Sequence, residues 1–568
     1  MPYRAPVQDY QFLFDHVVGY ARLEETESFA EAGADVSSAI LEEAAKIAED
    51  ILAPLNRVGD LHPAVLENGV VRTSPGFAEG YKAIAEGGWV GMAGDPEYGG
   101  MGLPQSLVNA VNEMIGGACL SLQLNPLMSQ GQIEALEHHA SDEIKALYLP
   151  KLISGEWCGT MNLTEPQAGS DVGALRTKAE PNGDGSYAIS GQKIYISWGD
   201  NDFTENVCHL VLARLPDAGP GTKGISLFMV PKLIPDEAGK PGVANTLKVV
   251  SLEHKMGLHG SPTAVMQYDG ATGWLVGEPH DGMAAMFTMM NNARLGVGGQ
   301  GIAVAEAAYQ HALAYAMDRK QGRAHEGETI IGHADVRRML SEMKADIFAA
   351  RAISAACALA IDMGAATGSS DWKARAALLT PIAKAFGTDT GIAVAGQGIQ
   401  VHGGMGFIEE TGAAQYLRDV RVTAIYEGTN GIQAMDLVAR KMMDSGEAAY
   451  ALIDEIEASI EACKADHPDL AAKTFTAFET LRETTEWLVQ QDMTDRFAGS
   501  VAYLRLFARC LGGYYHLCAA HRTGVDGPRG RMAQIYITRL LPEHVGLAEQ
   551  VRQGAEDLYA VSVDDLVA

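Results

Sequence analysis

SYAISGQKIYIS, residues 186–197, is short, rich in isoleucine and tyrosine, and preceded by the turn signal PNGDG at 181–185. Such a stretch reads as a β-strand. NVCHLVLARL (206–215) and GISLFMVPKL (224–233) have the same character, with DAGPGTKG (217–224) between them. Together they predict a small antiparallel β domain that begins near Gly159 and ends near GWLVGEP (273–279).

On both sides the period is helical. DVSSAILEEAAKIAEDILAPLN (35–56) spaces its apolar residues for a helix, the Gly/Pro cluster AGDPEYGGMGLP (93–104) is a loop, and a further helical stretch runs from about 106 to 152. Beyond 282 come the Ala-rich segments 303–320, 333–364 and 380–400, and after 441 an apolar stripe of Leu470, Phe475, Phe478, Leu481 and Leu488. The expected fold class is mainly α with a middle antiparallel β domain. Its expected segments are an extension (1–34), a helical domain (35–158), the β domain (159–279), a helical bundle (280–440) and a C-terminal helical region (441–568).

This order is not the βαβ alternation of a doubly wound fold. GVGGQG (296–301) matches G-x-G-x-x-G but follows the helical-looking MFTMMNNARL, so its glycines read as places of close helix packing rather than a dinucleotide loop.

The chain of 568 residues carries 43 basic and 72 acidic residues, a net charge of −29. That balance disfavours nucleic acid as a partner. The seven cysteines form no CxxC pair, which fits buried thiols in a reduced compartment and no metal site. The N-terminal stretch lacks the apolar core of a signal peptide, and no run of 18 apolar residues is present. No membrane span and a cytoplasmic location are expected.

Four segments interrupt regular patterns with polar residues and glycine. MNLTEPQAGSDVG (161–173) is a turn-rich loop whose N–H groups, with Thr164 and Ser170, can meet a flat heteroaromatic ring or a pyrophosphate; the plainer reading is a turn capped by Glu165 and Asp171. In GQKIYISWGD (191–200), Tyr195 and Ser197 share a strand face and could flank such a ring, although taken alone a half-exposed strand face is the better explanation. Arg294 and Arg319 are charges inside or ending an apolar helix, which calls for an ion pair or a bound anion. GIQVHGGMGF (398–407) pairs Gly403 with Gly404, where backbone can approach a ligand, and His402 reads as a core histidine. AIYEGTNGIQ (424–433) then holds one acid, Glu427, in an otherwise uncharged run: a solvated loop acid or a base in a drier pocket.

LTEPQAGSD, KMGLHGSPT (255–263), QVHGGMGF and IYEGTNGIQ, in this order and spacing, resemble the signature segments of the acyl-CoA dehydrogenases, over about residues 35–440. The N-terminal MPYRAPVQD and the region after 441 are similar to a longer subgroup that includes bacterial fatty acyl-CoA and 3-(methylthio)propanoyl-CoA dehydrogenases. The resemblance implies FAD, matched by Leu163, Thr164, Ser170, Tyr195, Ser197 and Thr429. Arg319, Gln400, Gly403 and Gly404 match positions that reach the flavin of a neighbouring subunit, so a homo-oligomer, a dimer by preference, is implied. Ser170, Asn291, Arg294 and Gly428 match acyl-CoA contacts, and Glu427 matches the catalytic base. Tyr195 and Ser197 stand where the family often has Trp and Thr, and Asn291 and Ala293 where it often has Asp and Thr.

The implied reaction is α,β-dehydrogenation of a saturated acyl-CoA to the trans-2-enoyl-CoA. Glu427 takes the α proton, FAD N5 the β hydride, and an electron-transfer flavoprotein the electrons. Alternatives are a 3-(methylthio)propanoyl-CoA activity, an acyl-CoA oxidase and, least favoured, a DNA-binding flavoprotein. The last needs a basic C-terminal region, and residues 441–568 hold 12 basic and 20 acidic residues.

Overall fold

The computed structural model describes residues 3–568. Contacts group the chain into two compact units. The first comprises the N-terminal segment to Ala45, Pro104–Gly117 and Arg294–Ala568; the second comprises Lys46–Leu103 and Ala118–Ala293. These lines differ from those of the five sequence segments. Residues 441–568 share one hydrophobic core with the bundle before them, through Leu481, Phe507 and Leu511 beside Ala349, Ile353 and Ile382.

The first unit is helical. Its centre is a helical hairpin, Ala334–Thr367 and Ser370–His402. Gly368 at φ 69° ends the first arm, and Ser369 caps the second by accepting the Trp372 N–H at 3.4 Å. Ala334–Thr367 is long and apolar enough to cross a bilayer by length and composition, yet 89% of its most apolar window is buried inside the protein. It is a core helix, and it matches the helical segment expected at 333–364.

GVGGQG lies inside the helix Gly282–Asp318. A Cβ on Gly298 would stand 2.8 Å from the Ala383 carbonyl oxygen, and one on Gly301 would stand 2.4 Å from that of Gly387. Those glycines let two helix backbones touch. In the C-terminal region, Asp492 caps Met493–Thr523 by accepting from the N–H groups of Thr494 and Asp495. The expected stripe lies on Pro468–Gln490, with Leu470, Phe478, Leu481 and Leu488 buried and Phe475 partly buried.

The second unit is built on a seven-stranded sheet. Its strands run Trp157–Asn162, Asn206–Ala213, Ser226–Pro231, Thr263–Val276, Tyr187–Ser197 and Lys178–Pro181, and Leu247–Leu252 also pairs with Thr263–Val276. Ile189, Ile196, Val211, Phe228 and Tyr268 fill its core. The sheet is not wholly antiparallel as expected: Trp157–Asn162 pairs in parallel with Asn206–Ala213. That pairing joins segments separated by more than one intervening strand, which leaves no local trace in sequence. A small hairpin, Val65–Glu67 with Val70–Arg72, was also not anticipated in the helical N-terminal region.

Candidate active site

In the first unit the site is built on the turn between Ala424 and Asn430. The Ile425 and Tyr426 N–H groups both donate to the Val422 carbonyl, closing the preceding short helix. Glu427 then adopts φ 55° and Gly428 φ 85°, two successive left-handed residues. The conformation costs a non-glycine residue about 1–2 kcal/mol, so the surroundings must hold it. At 428 the positive φ favours glycine, and a Cβ there would lie 2.7 Å from Gln433 Nε2. Thr429 caps the helix Asn430–Val438 by accepting the Ile432 N–H at 3.2 Å, which uses its oxygen and leaves its O–H as a donor.

Both turn carbonyls are held from the same unit. Gln433 Nε2 donates to the Glu427 oxygen at 3.3 Å. Lys384 Nζ donates to the Gly428 oxygen and to Asn430 Oδ1, each at 2.9 Å. Asn430 Nδ2 in turn donates to Asp389 Oδ1 at 2.7 Å, and the Tyr426 hydroxyl donates to Gln300 Oε1.

Glu427 is half-buried. Burial pushes its pKa up to about 7, against the opposing pull of Arg294 and Lys384. Arg294 is buried, and burial lowers its pKa while Asp436 and Glu427 favour its charge. Lys384 is fully buried, and burial brings it down to about 8. The structure therefore draws Glu427, Gly428, Thr429 and Arg294 into one cluster. The acid is a perturbed, positioned carboxyl, the kind of group that serves as a general base near neutral pH.

The other predicted residues of this unit form a second group. The Tyr315 and His402 rings pack in a tilted pair with centroids 4.5 Å apart, bringing the end of Gly282–Asp318, followed by Arg319, beside the end of Ser370–His402, followed by Gly403 and Gly404. Arg319 is exposed, at the end of its helix, unlike the buried Arg294. Gln400, Gly403 and Gly404 are exposed too, and a Cβ on either glycine would meet nothing within 4 Å. Gln400 stands 16 residues beyond Lys384 on one helix, about 24 Å at 1.5 Å per residue. His402 is buried and its Nδ1 bonds the Gly398 carbonyl at 2.7 Å, as a core histidine does.

In the second unit, Tyr195 lies at a register shift in its strand, with φ 60° and 62% exposure. The bulge presents the ring outward, while Ile196 is buried and Ser197 is half-buried opposite Thr263. Leu163 and Thr164 follow the strand Trp157–Asn162. The buried Lys193 donates to the Leu163 oxygen at 3.0 Å and to Glu165 Oε1 at 2.8 Å. Because the 163–164 peptide is trans, its N–H, that of Thr164, points away from Lys193. Glu165 also accepts from the Arg176 and Thr177 N–H groups and the Thr177 hydroxyl, so it organises this loop rather than capping a turn. Asp171 precedes the short helix Val172–Ala174 without a side-chain capping bond. Ser170 and Asn291 are exposed.

Sequence reasoning missed Lys384, Gln433 and Asn430, which hold the turn, and Lys193, which holds the loop. The signal was available for the lysines. Each is a lone cation in an apolar context, LLTPIAKAFG and GQKIYIS, as Glu427 is a lone acid in its own.

Family models match most of the chain: acyl-CoA dehydrogenase N-terminal domain at 36–156, middle domain at 160–271 and C-terminal domain at 280–443, then acetyl-CoA dehydrogenase C-terminal like at 452–562. The chain is 44% identical over 529 residues to 3-methylmercaptopropionyl-CoA dehydrogenase of Ruegeria pomeroyi, covering 90% of each. It is 35% identical over 540 residues to the broad-specificity linear acyl-CoA dehydrogenase FadE5 of Mycobacterium tuberculosis, covering 88% of this chain and 87% of the other. In fold it is similar to ACDH-11 of Caenorhabditis elegans, with a TM-score of 0.79, 19% identity and coverage of 97% and 95%. The chain belongs to the acyl-CoA dehydrogenase family.

It is therefore a flavin oxidoreductase whose cofactor is FAD. The donor set fits that group. Within the second unit, Tyr195 presents an exposed ring, and the Thr164 N–H points away from the buried Lys193.

Proposed function

We propose that Glu427 is the base that removes the α proton of a saturated acyl-CoA thioester. The observation that carries this reading is a carboxyl in a strained left-handed turn with its pKa pushed up to about 7. An ordinary glutamate is too weak a base for such a carbon acid, and burial closes part of the gap. The turn aims the carboxylate, and its backbone N–H is a donor for the oxygen of the thioester, where negative charge develops. Arg294, Asn291, Ser170 and Gly428 are the proposed acyl-CoA contacts. Leu163, Thr164, Ser170, Tyr195, Ser197 and Thr429 are the proposed flavin contacts. FAD, when bound, supplies the acceptor for the β hydride.

The group at Arg319, Gln400, Gly403 and Gly404 lies well along its helix from the base turn, which favours a role at a second copy's flavin. Phe407, 87% exposed, and Met405 adjoin it as an apolar surface that a subunit could cover. The reading is a homodimer that passes electrons to an electron-transfer flavoprotein in the cytoplasm. The five sequence segments are proposed as the domains, and the order of the matching family models supports the four from 35 onward. The 44% identity to the Ruegeria pomeroyi enzyme makes 3-(methylthio)propanoyl-CoA the first ester to test, with linear acyl chains beside it.

The test is anaerobic bleaching of the flavin by a panel of acyl-CoA esters, in the wild type and in Glu427→Gln. The variant should keep its yellow colour and slow flavin reduction by at least ~10²-fold. Near-normal reduction would overturn the assignment, and rapid peroxide formation in air would favour an oxidase.

A further inference from the structure

Lys384 has no place in the reaction so far described, yet its position is unusual. It lies on Ser370–His402 between the buried Ala383 and Ala385, and its side chain is 0% exposed. A methionine would fill such a site without the cost of burying an ammonium. The ammonium instead reaches two neutral oxygens of the base turn, the Gly428 carbonyl and Asn430 Oδ1. These lie one and three residues beyond Glu427.

We propose that Lys384 is a positioning residue for the base: it ties down the far side of the left-handed turn and fixes the positive charge beside which Glu427 works. The proposal rests on Glu427 being the base. A tether on the Gly428 carbonyl restricts the Gly428–Thr429 peptide, and Gln433, on the Glu427 carbonyl, restricts the Glu427–Gly428 peptide before it. Asn430 is itself clamped by Asp389, so the tether ends on a rigid point.

The charges around the pair are Arg294 with Asp436 and Arg440 near it, and Asp389 with Arg505 and Arg421 near it; Tyr426 adjoins Glu427. Lys384 and Arg294 are the two cations that favour the Glu427 carboxylate. Loss of Lys384 leaves burial opposed by Arg294 alone. The pKa of the base then rises, and the acid limb of the rate profile moves to higher pH.

The experiment compares holoenzymes of the wild type, Lys384→Met, Lys384→Gln and Glu427→Gln. Flavin reduction by butanoyl-CoA and by 3-(methylthio)propanoyl-CoA is followed anaerobically from pH 5.5 to 9, with FAD content and circular dichroism measured beside it. Lys384→Met should keep its flavin and hold KM within about threefold. It should slow reduction about 10-fold or more at pH 7 and raise the acid limb by about one unit. Lys384→Gln keeps N–H donors without the charge, so it tests the charge even if the methionine variant does not fold, and should show the same displacement of the limb. A wild-type acid limb in the folded variants, with Glu427→Gln inactive, would overturn this proposal alone. Normal reduction in Glu427→Gln would remove the reading beneath it.

Discussion

Arg351 Nη2 lies 2.6 Å from Glu113 Oε1, and each side chain is 1% exposed. The same guanidinium holds Glu306 at 2.8 Å and Asp9 at 3.0 Å, while the Tyr10 hydroxyl donates to Glu113 and Arg529 also pairs with Asp9. One buried cation thus joins the N-terminal helix Val7–His16, carrying Asp9 and Tyr10, to the helical stretches of the first unit that hold Glu113, Glu306 and Arg351 itself. Burial pushes the Glu113 carboxyl up, and Arg351 opposes that push. Removing the cation leaves two buried acids uncompensated, which costs about 3–5 kcal/mol at neutral pH. Arg351→Met should lower the melting temperature strongly at pH 7.5 and less at pH 5, where Glu113, left without its cation, can take up a proton. Adding Glu113→Gln should recover part of the loss. An equal loss at both pH values would show that packing, not charge, is at stake.

How much of this could be read from sequence depends on how local each cause is. The helix–β–helix order is written in periods of 3.6 and 2, and it was legible. The hairpin at 65–72 was legible in principle, since Asn68 and Gly69 take φ 53° and 78° as an Asn-Gly hairpin turn requires, but it hid between helices. Glu427 stood out because its neighbours are uncharged. Its left-handed backbone did not, because what holds the turn includes a lysine 44 residues before Gly428 in the chain. The bulge at Tyr195 was equally hidden, for it arises from the register with Thr263–Val276, not from the residues of its own strand.

Lys193 makes a prediction for the flavin loop. Its ion pair with Glu165 is fully enclosed, and together with the Arg176 and Thr177 donors it holds the Glu165 carboxyl down to about 2. The stabilisation from Glu165 is therefore present above the ordinary glutamate range and is lost as the pH falls toward 2. Lys193→Met leaves that carboxylate buried without its cation and frees the Leu163 carbonyl. We expect a loss of about 3 kcal/mol at neutral pH and a FAD affinity weakened about 10-fold or more. Thermal scans and ultrafiltration of free flavin measure the two effects. A variant with wild-type melting and flavin retention would mean that the loop is held by its backbone bonds alone.

Glu427 links activity to stability with a definite sign. Proton abstraction needs the carboxylate, so flavin reduction should fall about tenfold per pH unit below a limb near 7. The same shift penalises the folded state. A carboxyl whose folded pKa exceeds its unfolded value of 4.5 costs nothing below 4.5, when both states are protonated. The penalty grows between 4.5 and about 7, where the unfolded chain ionises first, and is constant above. At about 1.36 kcal/mol per pKa unit it reaches ~3 kcal/mol at most, and partial solvent access reduces it to about 1–2 kcal/mol. Glu427→Gln escapes the penalty because its side chain never ionises. At saturating FAD, its melting temperature relative to wild type should therefore climb through that window and level off above it, by about 1–3 °C. Thermal scans of both holoproteins from pH 4.5 to 9 test this. A difference that stays constant across the range would show that Glu427 titrates in the folded protein as it does in water, and the base would lose its physical basis.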